Sequence, residues 1–132
     1  MIEGTVLDVS AITDIAGRRT AYGAAFLDTA VAAGRAVVVP AAAWLEAWGS
    51  APASSRPFLE MLSGLPVILF SELDAPAAQA AGLMVGQAGD PQPSAGTAHA
   101  VQLARSIGWP VLTADRESVI ALDPSVPFES LP

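Results

Sequence analysis

The chain has 132 residues and a net charge of −7; all six of its basic residues are arginine, and it has no cysteine. The absence of lysine argues against a Walker-type nucleotide triphosphatase, and the acidic balance argues against an ordinary nucleic-acid binder with a basic face. The absence of cysteine excludes disulfides and cysteine zinc sites, while the length and an apolar fraction of 52% predict one domain, residues 1–132, with a substantial core.

Strand-like and helix-like segments alternate along the chain. Short runs that are apolar throughout are typical of strands buried on both faces, and longer alanine-rich segments have helical length. In chain order we predict strand 5–7, helix 20–33, strand 36–39, helices 41–48 and 55–63, strand 67–70, helices 75–85 and 97–106, and strand 111–112. The alternation predicts an α/β fold with a central parallel sheet of four to five strands between helical layers.

Three glycines mark predicted helix ends. Gly34, Gly64 and Gly108 each stand just before an apolar strand, where a glycine can take the left-handed conformation that closes a helix. The stretch 86–96 contains Gly89-Asp90-Pro91-Gln92-Pro93, which would break any helix, and we predict it to be irregular.

The sequence shows no pattern for membrane insertion or secretion. The apolar run 36–45 is far shorter than the ~20 residues needed to span a bilayer. Residues 1–4 carry an acid where a secretory signal would carry basic residues. We therefore expect a cytoplasmic protein with no membrane association, whose surplus of apolar side chains is covered by a partner, such as a second copy in a homodimer.

Two aspartates follow predicted strands. Asp8 ends strand 5–7, and Asp115 follows strand 111–112. Ligands of an open parallel sheet collect beyond the carboxyl ends of its strands, so both carboxylates should lie on the same rim. The alternative for each is structural, because an aspartate between a strand and a helix commonly caps the helix.

Glu46 is the only charged residue of the segment 40–48, which includes a predicted helix. At ~1.5 Å per residue it lies about 9 Å along that helix, and its side chain leans back toward the helix N-terminus. The carboxylate is therefore expected to reach a site near Asp8. The alternative is an exposed glutamate on the one solvated stripe of the helix.

Grouped carboxylates indicate a bound cation, because they stay ionised at neutral pH only beside a compensating charge. Mg²⁺ suits such a site, since it accepts one or two carboxylates and keeps waters that can be activated for attack on phosphate. The acids therefore indicate metal-dependent hydrolysis of a phosphodiester, in which the cation also reverses the local negative charge.

Three motifs, in this order and at this spacing, resemble the PIN-domain family and, within it, the VapC-type ribonuclease toxins. Leu7-Asp8-Val9-Ser10 resembles a first strand that ends in aspartate, followed two residues later by serine or threonine. Glu46 follows the strand and proline at 38–40, and 98–115 resembles a helix, a glycine, a short strand and a final threonine-x-aspartate. The similarity runs nearly end to end and implies a three-layer α/β/α PIN-like domain.

The resemblance also implies a function. It implies an endoribonuclease with an RNA substrate, the toxin of a pair whose antitoxin protein covers the apolar and acidic groove. Asp8 and Asp115 would hold Mg²⁺ or Mn²⁺, and Glu46 would orient or deprotonate the attacking water. Ser10 and Thr113 would be accessory groups that position a water or a phosphate, although both can equally bond local backbone.

One acid of the family pattern is missing. The helix before Gly108 opens in the family with an acid, and Thr97 stands at that place here, so metal affinity should fall. Thr97 can still hydrogen-bond a water as an accessory group. Asp90, a short way upstream, is a candidate replacement; its alternative is a turn residue before Pro91.

The remaining polar residues carry weaker signals. His99 is the only histidine, and we interpret it as a packed core or interface residue because it lies on an apolar helix. Arg18, Arg19 and Arg116 are the candidates for contacts with RNA phosphates, and surface solvation accounts for them equally well.

Two further functional readings stay open. The first is a catalytically weak or inactive PIN-like module that keeps the scaffold for protein–protein interaction, which Thr97 and the acidic charge favour. The second is another doubly wound, flavodoxin-like domain whose rim acids are helix caps. Against it, the chain has no Gly-x-Gly-x-x-Gly fingerprint and no Gly-x-Ser-x-Gly elbow.

Overall fold

The computed structural model describes residues 3–132. The expectation of a cytoplasmic protein used residues 1–4, of which Met1 and Ile2 lie outside the described residues. No helix within 3–132 is long and apolar enough to cross a membrane. In chain order the elements are β1 (Gly4–Leu7), α1 (Val9–Gly17), α2 (Ala21–Ala33), β2 (Ala36–Pro40), α3 (Ala41–Ser50), a 3-10 turn (Ala53–Ser55), α4 (Arg56–Ser63), β3 (Ile68–Ser71), α5 (Ala75–Ala88), α6 (Ala95–Ile107), β4 (Val111–Thr113), α7 (Arg116–Leu122) and β5 (Phe128–Ser130).

The strands form one parallel sheet in the order β3-β2-β1-β4-β5. The central strand β1 pairs with β2, where Thr5 lies opposite Val37, and with β4, where Leu7 lies opposite Leu112. The predicted α/β class with a parallel sheet of four to five strands is confirmed. That residues 1–132 form a single domain stays a prediction.

The core lies on both faces of the sheet. Neighbouring residues of a strand point to opposite faces, so Leu7 packs with α1 to α4 in one hydrophobic cluster and Val6 packs with α5 to α7 in another. Both side chains are fully buried. Coverage on both faces explains why the strands read as continuous apolar runs instead of alternating patterns.

Four elements were not predicted from the sequence: α1, the 3-10 turn, α7 and β5. The α1 helix begins immediately after β1 with Asp8 as its N-cap, so no turn residue separates the two elements. Its β-branched residues have modest helix propensity, but Ile12 and Ile15 are buried in the core. Tertiary packing therefore stabilises a helix that local propensity does not indicate.

The predictions for glycine and for the loop are confirmed only in part. Gly34 and Gly108 are left-handed, with φ of 66° and 76°. Gly64 also ends its helix, as the C-cap of α4, but it is not left-handed: its φ is −93°, and the chain leaves α4 in a right-handed turn in which the N–H of Leu65 donates to the carbonyl of Leu62. The irregular stretch is only 89–94, since α5 continues to Ala88 and α6 begins at Ala95.

Candidate functional site

Asp8 lies at the carboxyl end of β1, where the chain turns directly into α1. Its backbone is extended (φ −86°, ψ −178°), and it is the N-cap residue of α1. Oδ1 accepts hydrogen bonds from the backbone N–H of Ala11 at 2.9 Å and from Ser10 Oγ at 2.6 Å. The structural alternative is therefore correct for this oxygen, because it satisfies a free N–H of the first helical turn.

Capping does not explain the second carboxylate oxygen of Asp8. The side chain is 0% exposed, and Oδ2 is buried without a hydrogen-bond partner among residues 3–132. Burial is the main cause that raises the pKa of Asp8, and the negative charge of Asp115 adds to it. Hydrogen bonding to Ser10, Thr113 and Ala11 acts in the opposite direction without reversing the shift. A buried carboxylate oxygen without a donor is costly unless a cation compensates it.

Two hydroxyl groups connect Asp8 to the strand that precedes Asp115. Ser10 Oγ donates to Asp8 and accepts from the backbone N–H of Ala114 at 2.8 Å. Thr113 Oγ1 accepts from the backbone N–H of Asp115 at 2.8 Å and lies 3.4 Å from Ser10 Oγ. The Thr113 hydroxyl lies close enough to the Asp8 carboxylate to lower its pKa. The geometry between this hydroxyl and Oδ2 is not that of a hydrogen bond. Ser10 and Thr113 therefore bond local backbone and also join the surroundings of the two aspartates.

Asp115 follows β4, the parallel neighbour of β1, and so lies on the same rim as Asp8. It is exposed and caps α7: Oδ1 accepts from the N–H of Ser118 at 3.3 Å, and Oδ2 accepts from Ser118 Oγ at 2.7 Å. Sequence reasoning missed Ser118. The spacing of an aspartate and a serine three residues apart at a helix start is the signal that indicates this contact.

Glu46 is half-buried on α3 and turns toward the N-terminus of α6. Its Oε1 accepts a hydrogen bond from the backbone N–H of Gly96, the second residue of α6, at 2.6 Å. The partial positive charge at the start of a helix favours a carboxylate there. The alternative of an exposed glutamate on a solvated stripe therefore does not describe this side chain.

Thr97, where the resemblance predicts another acid, is the third residue of α6 and is 7% exposed. Its N–H donates to Ser94 Oγ at 3.2 Å, and Ser94 Oγ donates to Thr97 Oγ1 at 3.1 Å. The first turn of α6 contains no acidic residue. Glu46 of α3 is thus the carboxylate that bonds to this helix start.

The carboxylates do not converge as a group of three. Within residues 3–132 no three histidine, aspartate or glutamate side chains are close enough to hold one metal ion together. Asp90 belongs to no such group; it is exposed in the turn before Pro91, which agrees with its structural alternative. Asp8 and Asp115 are still a donor set that fits Mg²⁺, which takes one or two carboxylates and retains waters, and the unpartnered Oδ2 of Asp8 fits a cation.

Comparison with known proteins addresses the fold. No family model and no curated protein matches the chain. One chain of the structure of FitAB bound to an IR36 DNA fragment is 19% identical with a TM-score of 0.65, over 96% of this chain and 94% of that one. FitAcB from Neisseria gonorrhoeae is 19% identical with a TM-score of 0.65, over 94% and 95%. VapBC2 from Rickettsia felis, bound to a DNA fragment from their promoter, is 10% identical with a TM-score of 0.70, over 98% of each chain.

The chain has a PIN-like fold. The coverage shows that the similarity runs from end to end, as the sequence motifs implied. At this level of identity it describes the backbone, so the functional roles of side chains in this PIN-like chain depend on their own geometry.

His99 is a satisfied core residue of the PIN-like domain. It is 1% exposed, and its Nδ1 accepts the backbone N–H of Ala42 at 3.3 Å. Ala42 is the second residue of α3, whose N-cap, Pro40, provides no side-chain bond. Thus α6 caps α3 through His99, and α3 caps α6 through Glu46. Burial lowers the pKa of His99, against the opposing effects of the Glu72 carbonyl and the Asp74 charge.

We expect this histidine to make the stability of the PIN-like domain depend on pH. A histidine with a lowered folded-state pKa contributes stability that is present above its unfolded pKa and is lost as pH falls toward the folded pKa. The loss should approach at most about 1.4 kcal/mol per pH unit, the value for one proton. Urea unfolding from pH 7.5 to 5 would measure it. His99→Asn should reduce the slope; equal slopes in both proteins would contradict the assignment.

The three arginines that are candidates for RNA contacts, Arg18, Arg19 and Arg116, lie at two places. Arg116 borders an open depression together with Asp115 and Ser130. Arg18 is the C-cap of α1, about 15 Å along the helix from Asp8 at the helical rise, and its guanidinium lies 5.4 Å from the ring centre of Phe58. Arg116 therefore adjoins the acidic rim, the edge of the sheet at which Asp8 follows β1 and Asp115 follows β4.

Proposed function

We propose that this chain is a Mg²⁺- or Mn²⁺-dependent endoribonuclease, the toxin component of a toxin–antitoxin pair. The observation that carries the proposal is the buried, unpartnered Oδ2 of Asp8, next to the charge of Asp115. A carboxylate that only capped α1 would use one oxygen, so the cap gives no reason for the burial of Oδ2 without a hydrogen-bond partner. The PIN-like fold places this oxygen at the carboxyl ends of the central strands, where such sheets bind ligands.

Each residue has a role in the proposal. Asp8 and Asp115 would hold the cation, which supplies charge neutralisation and an activated water for attack on the phosphodiester. Glu46, anchored by Gly96, orients that water or accepts its proton. Ser10 keeps Asp8 oriented through a 2.6 Å bond and ties it to the backbone at Ala114.

The proposed partners are RNA, an antitoxin protein and a second copy of the chain. Solved structures with the same fold include FitAB and VapBC2, each bound to a DNA fragment, and this similarity supports a partner protein for this chain. Its apolar surface supports further contacts: Leu45, Leu69 and Phe70 are exposed around α3 and the edge strand β3, where Trp44 packs against Phe70 with ring centres 5.1 Å apart. We propose that the protein acts in the cytoplasm, where its RNA substrate is.

A second candidate is a PIN-like module with little or no catalysis that serves protein–protein interaction. The observation that favours it is the lack of any three-acid group within 3–132, together with Thr97 at the position of the expected acid. The exposed apolar side chains are equally consistent with this reading.

Cleavage of a panel of single-stranded and hairpin RNAs in Mg²⁺ and in Mn²⁺ tests the proposal. We expect site-selective cleavage that EDTA stops, with an Asp8→Asn protein purified in the same way as the background control. DNA oligonucleotides of the same sequences test the preference for RNA. Cleavage that is equal in the wild type and the Asp8→Asn protein would come from a contaminant, and the absence of cleavage under all conditions would favour the interaction module.

A further inference from the structure

Gly96 and Glu46 meet although they are 50 positions apart in the chain. The Gly96 N–H is one of the donors that a helix start leaves free, and it bonds to Glu46 Oε1 at 2.6 Å. A hydrogen bond to an ionised acceptor is shorter and stronger than one between neutral groups. The bond therefore fixes one oxygen of the only charged side chain on α3.

The close approach depends on the missing side chain of Gly96. A Cβ atom at this position would lie 2.7 Å from Val9 Cγ2, 2.9 Å from the Cα of Ala43 and 3.0 Å from Glu46 Oε1. The Ala43 contact is with backbone, so a side-chain rotation cannot relieve it. Any residue other than glycine must push α3 and α6 apart and displace the carboxylate.

The other oxygen of Glu46 is free. Oε2 makes no hydrogen bond within the part of the chain that the structure describes, and the side chain is half-buried. His99 joins the same two helices from the opposite direction through the N–H of Ala42. The two bonds hold α3 and α6 in one arrangement, so Oε2 has a defined position relative to the start of α6.

We propose that Gly96 is a positioning residue for the reaction. Its N–H binds Oε1 of Glu46, and its lack of a side chain makes room for that contact. Glu46 therefore acts on the attacking water through Oε2 alone. The inference rests on the proposed nuclease function for its chemical meaning. It assigns the contact with water to one oxygen of Glu46, because Oε1 is already engaged by the N–H of Gly96 and Oε2 is not.

Gly96→Ala tests the proposal, with Gly82→Ala as the matched control. Gly82 is also inside a helix, but a Cβ there meets nothing within 4 Å. We expect Gly96→Ala to lower kcat for RNA cleavage by about 10- to 100-fold, the scale of a misplacement near 1 Å, with KM and the Mn²⁺-induced thermal shift unchanged. A purely structural role would lower the amount of folded protein and leave kcat per folded molecule as in Gly82→Ala, which would overturn the proposal.

A second measurement keeps the anchoring testable if Gly96→Ala fails to fold or if no RNA is cut. The Gly96 amide proton should resonate downfield in an NMR spectrum of the wild-type protein and move upfield in Glu46→Gln, because the acceptor loses its charge. An unchanged Gly96 resonance would overturn the anchoring. If the resonance moves and the wild type cleaves no RNA, the anchoring stands and the nuclease function fails.

Discussion

Replacing Asp8 with asparagine is expected to abolish RNA cleavage while it makes the protein more stable. Changes in groups that only orient metal ligands cost about 10- to 100-fold in affinity or activity, so the loss of a proposed ligand itself should exceed about 100-fold. The same change removes a buried charge whose Oδ2 has no donor. A neutral amide is less costly to bury than an unpaired carboxylate.

The sign of the stability effect follows from the pKa. Asp8 has a raised pKa in the folded state, so its ionisation disfavours folding, and the stability present at low pH is lost as pH rises through the folded pKa. At pH 7 in EDTA, Asp8→Asn should therefore raise the free energy of unfolding by about 0.5–2 kcal/mol, as substitutions that relieve a functional site commonly do. Mg²⁺ or Mn²⁺ should raise the Tm of the wild type and not that of the variant, because only a protein that binds the ion gains stability from it.

Asp74 is the matched control for Asp8. It caps α5 with nearly the same backbone angles (φ −78°, ψ 175°), and its Oδ1 accepts the N–H of Ala77 at 2.9 Å. It is exposed, so Asp74→Asn should change stability by less than about 0.5 kcal/mol and leave cleavage intact. Equal stability changes in the two variants would mean that Asp8 is only a cap, and cleavage by Asp8→Asn would remove it from the site.

Replacing Thr97 with aspartate is expected to raise the affinity for Mg²⁺ and Mn²⁺ by about 10-fold or more, on the scale by which single groups tune metal sites. Thr97 lies in the first turn of α6, where the helix dipole favours a negative charge. The new carboxylate adds a third acid to a rim that lacks any three-acid group among residues 3–132. Titration calorimetry and cleavage at limiting metal would both report the gain.

Thr29→Asp adds the same charge at an exposed position of α2 and should change neither quantity. If the wild type and Thr97→Asp both cut RNA, the acids present in the natural chain suffice. If only Thr97→Asp cuts, the scaffold is intact but the site has lost its activity, and the interaction module becomes the better reading. No gain in metal affinity would contradict the placement of Thr97 at the family's acidic position.

The sequence predicted the sheet well because its strands are buried on both faces. Fully apolar runs as short as Val37–Val39, with glycine or proline nearby on either side, are typical of strands and too short for helices. Helix α1 was missed because its stability comes from Ile12 and Ile15 in the core, which a local pattern does not reveal. Strand β5 was missed because it is short and contains no apolar run. It forms only by pairing with β4, where Phe128 lies opposite Val111, and such a tertiary contact is not visible in a local pattern.

The part of the site that could be predicted from the sequence is the pair of aspartates at the strand ends. Asp8 and Asp115 are detectable because each follows a strand, and parallel topology puts such residues on one rim. The isolation of Asp8 Oδ2 and the bond between Glu46 and Gly96 were not detectable. Both depend on distances between segments far apart in the chain, which residue types and spacing do not specify.

The sheet order has a consequence for the synthesis of this protein. The acidic rim joins β1 to β4, and the hydroxyls of Ser10 and Thr113 that line it come from residues 103 positions apart. A chain still on the ribosome therefore has no complete rim until β4 has emerged, and a product that stops before residue 111 never forms one. If the chain cleaves RNA as proposed, a nascent chain that ends before β4 would lack the acidic rim that cleavage requires.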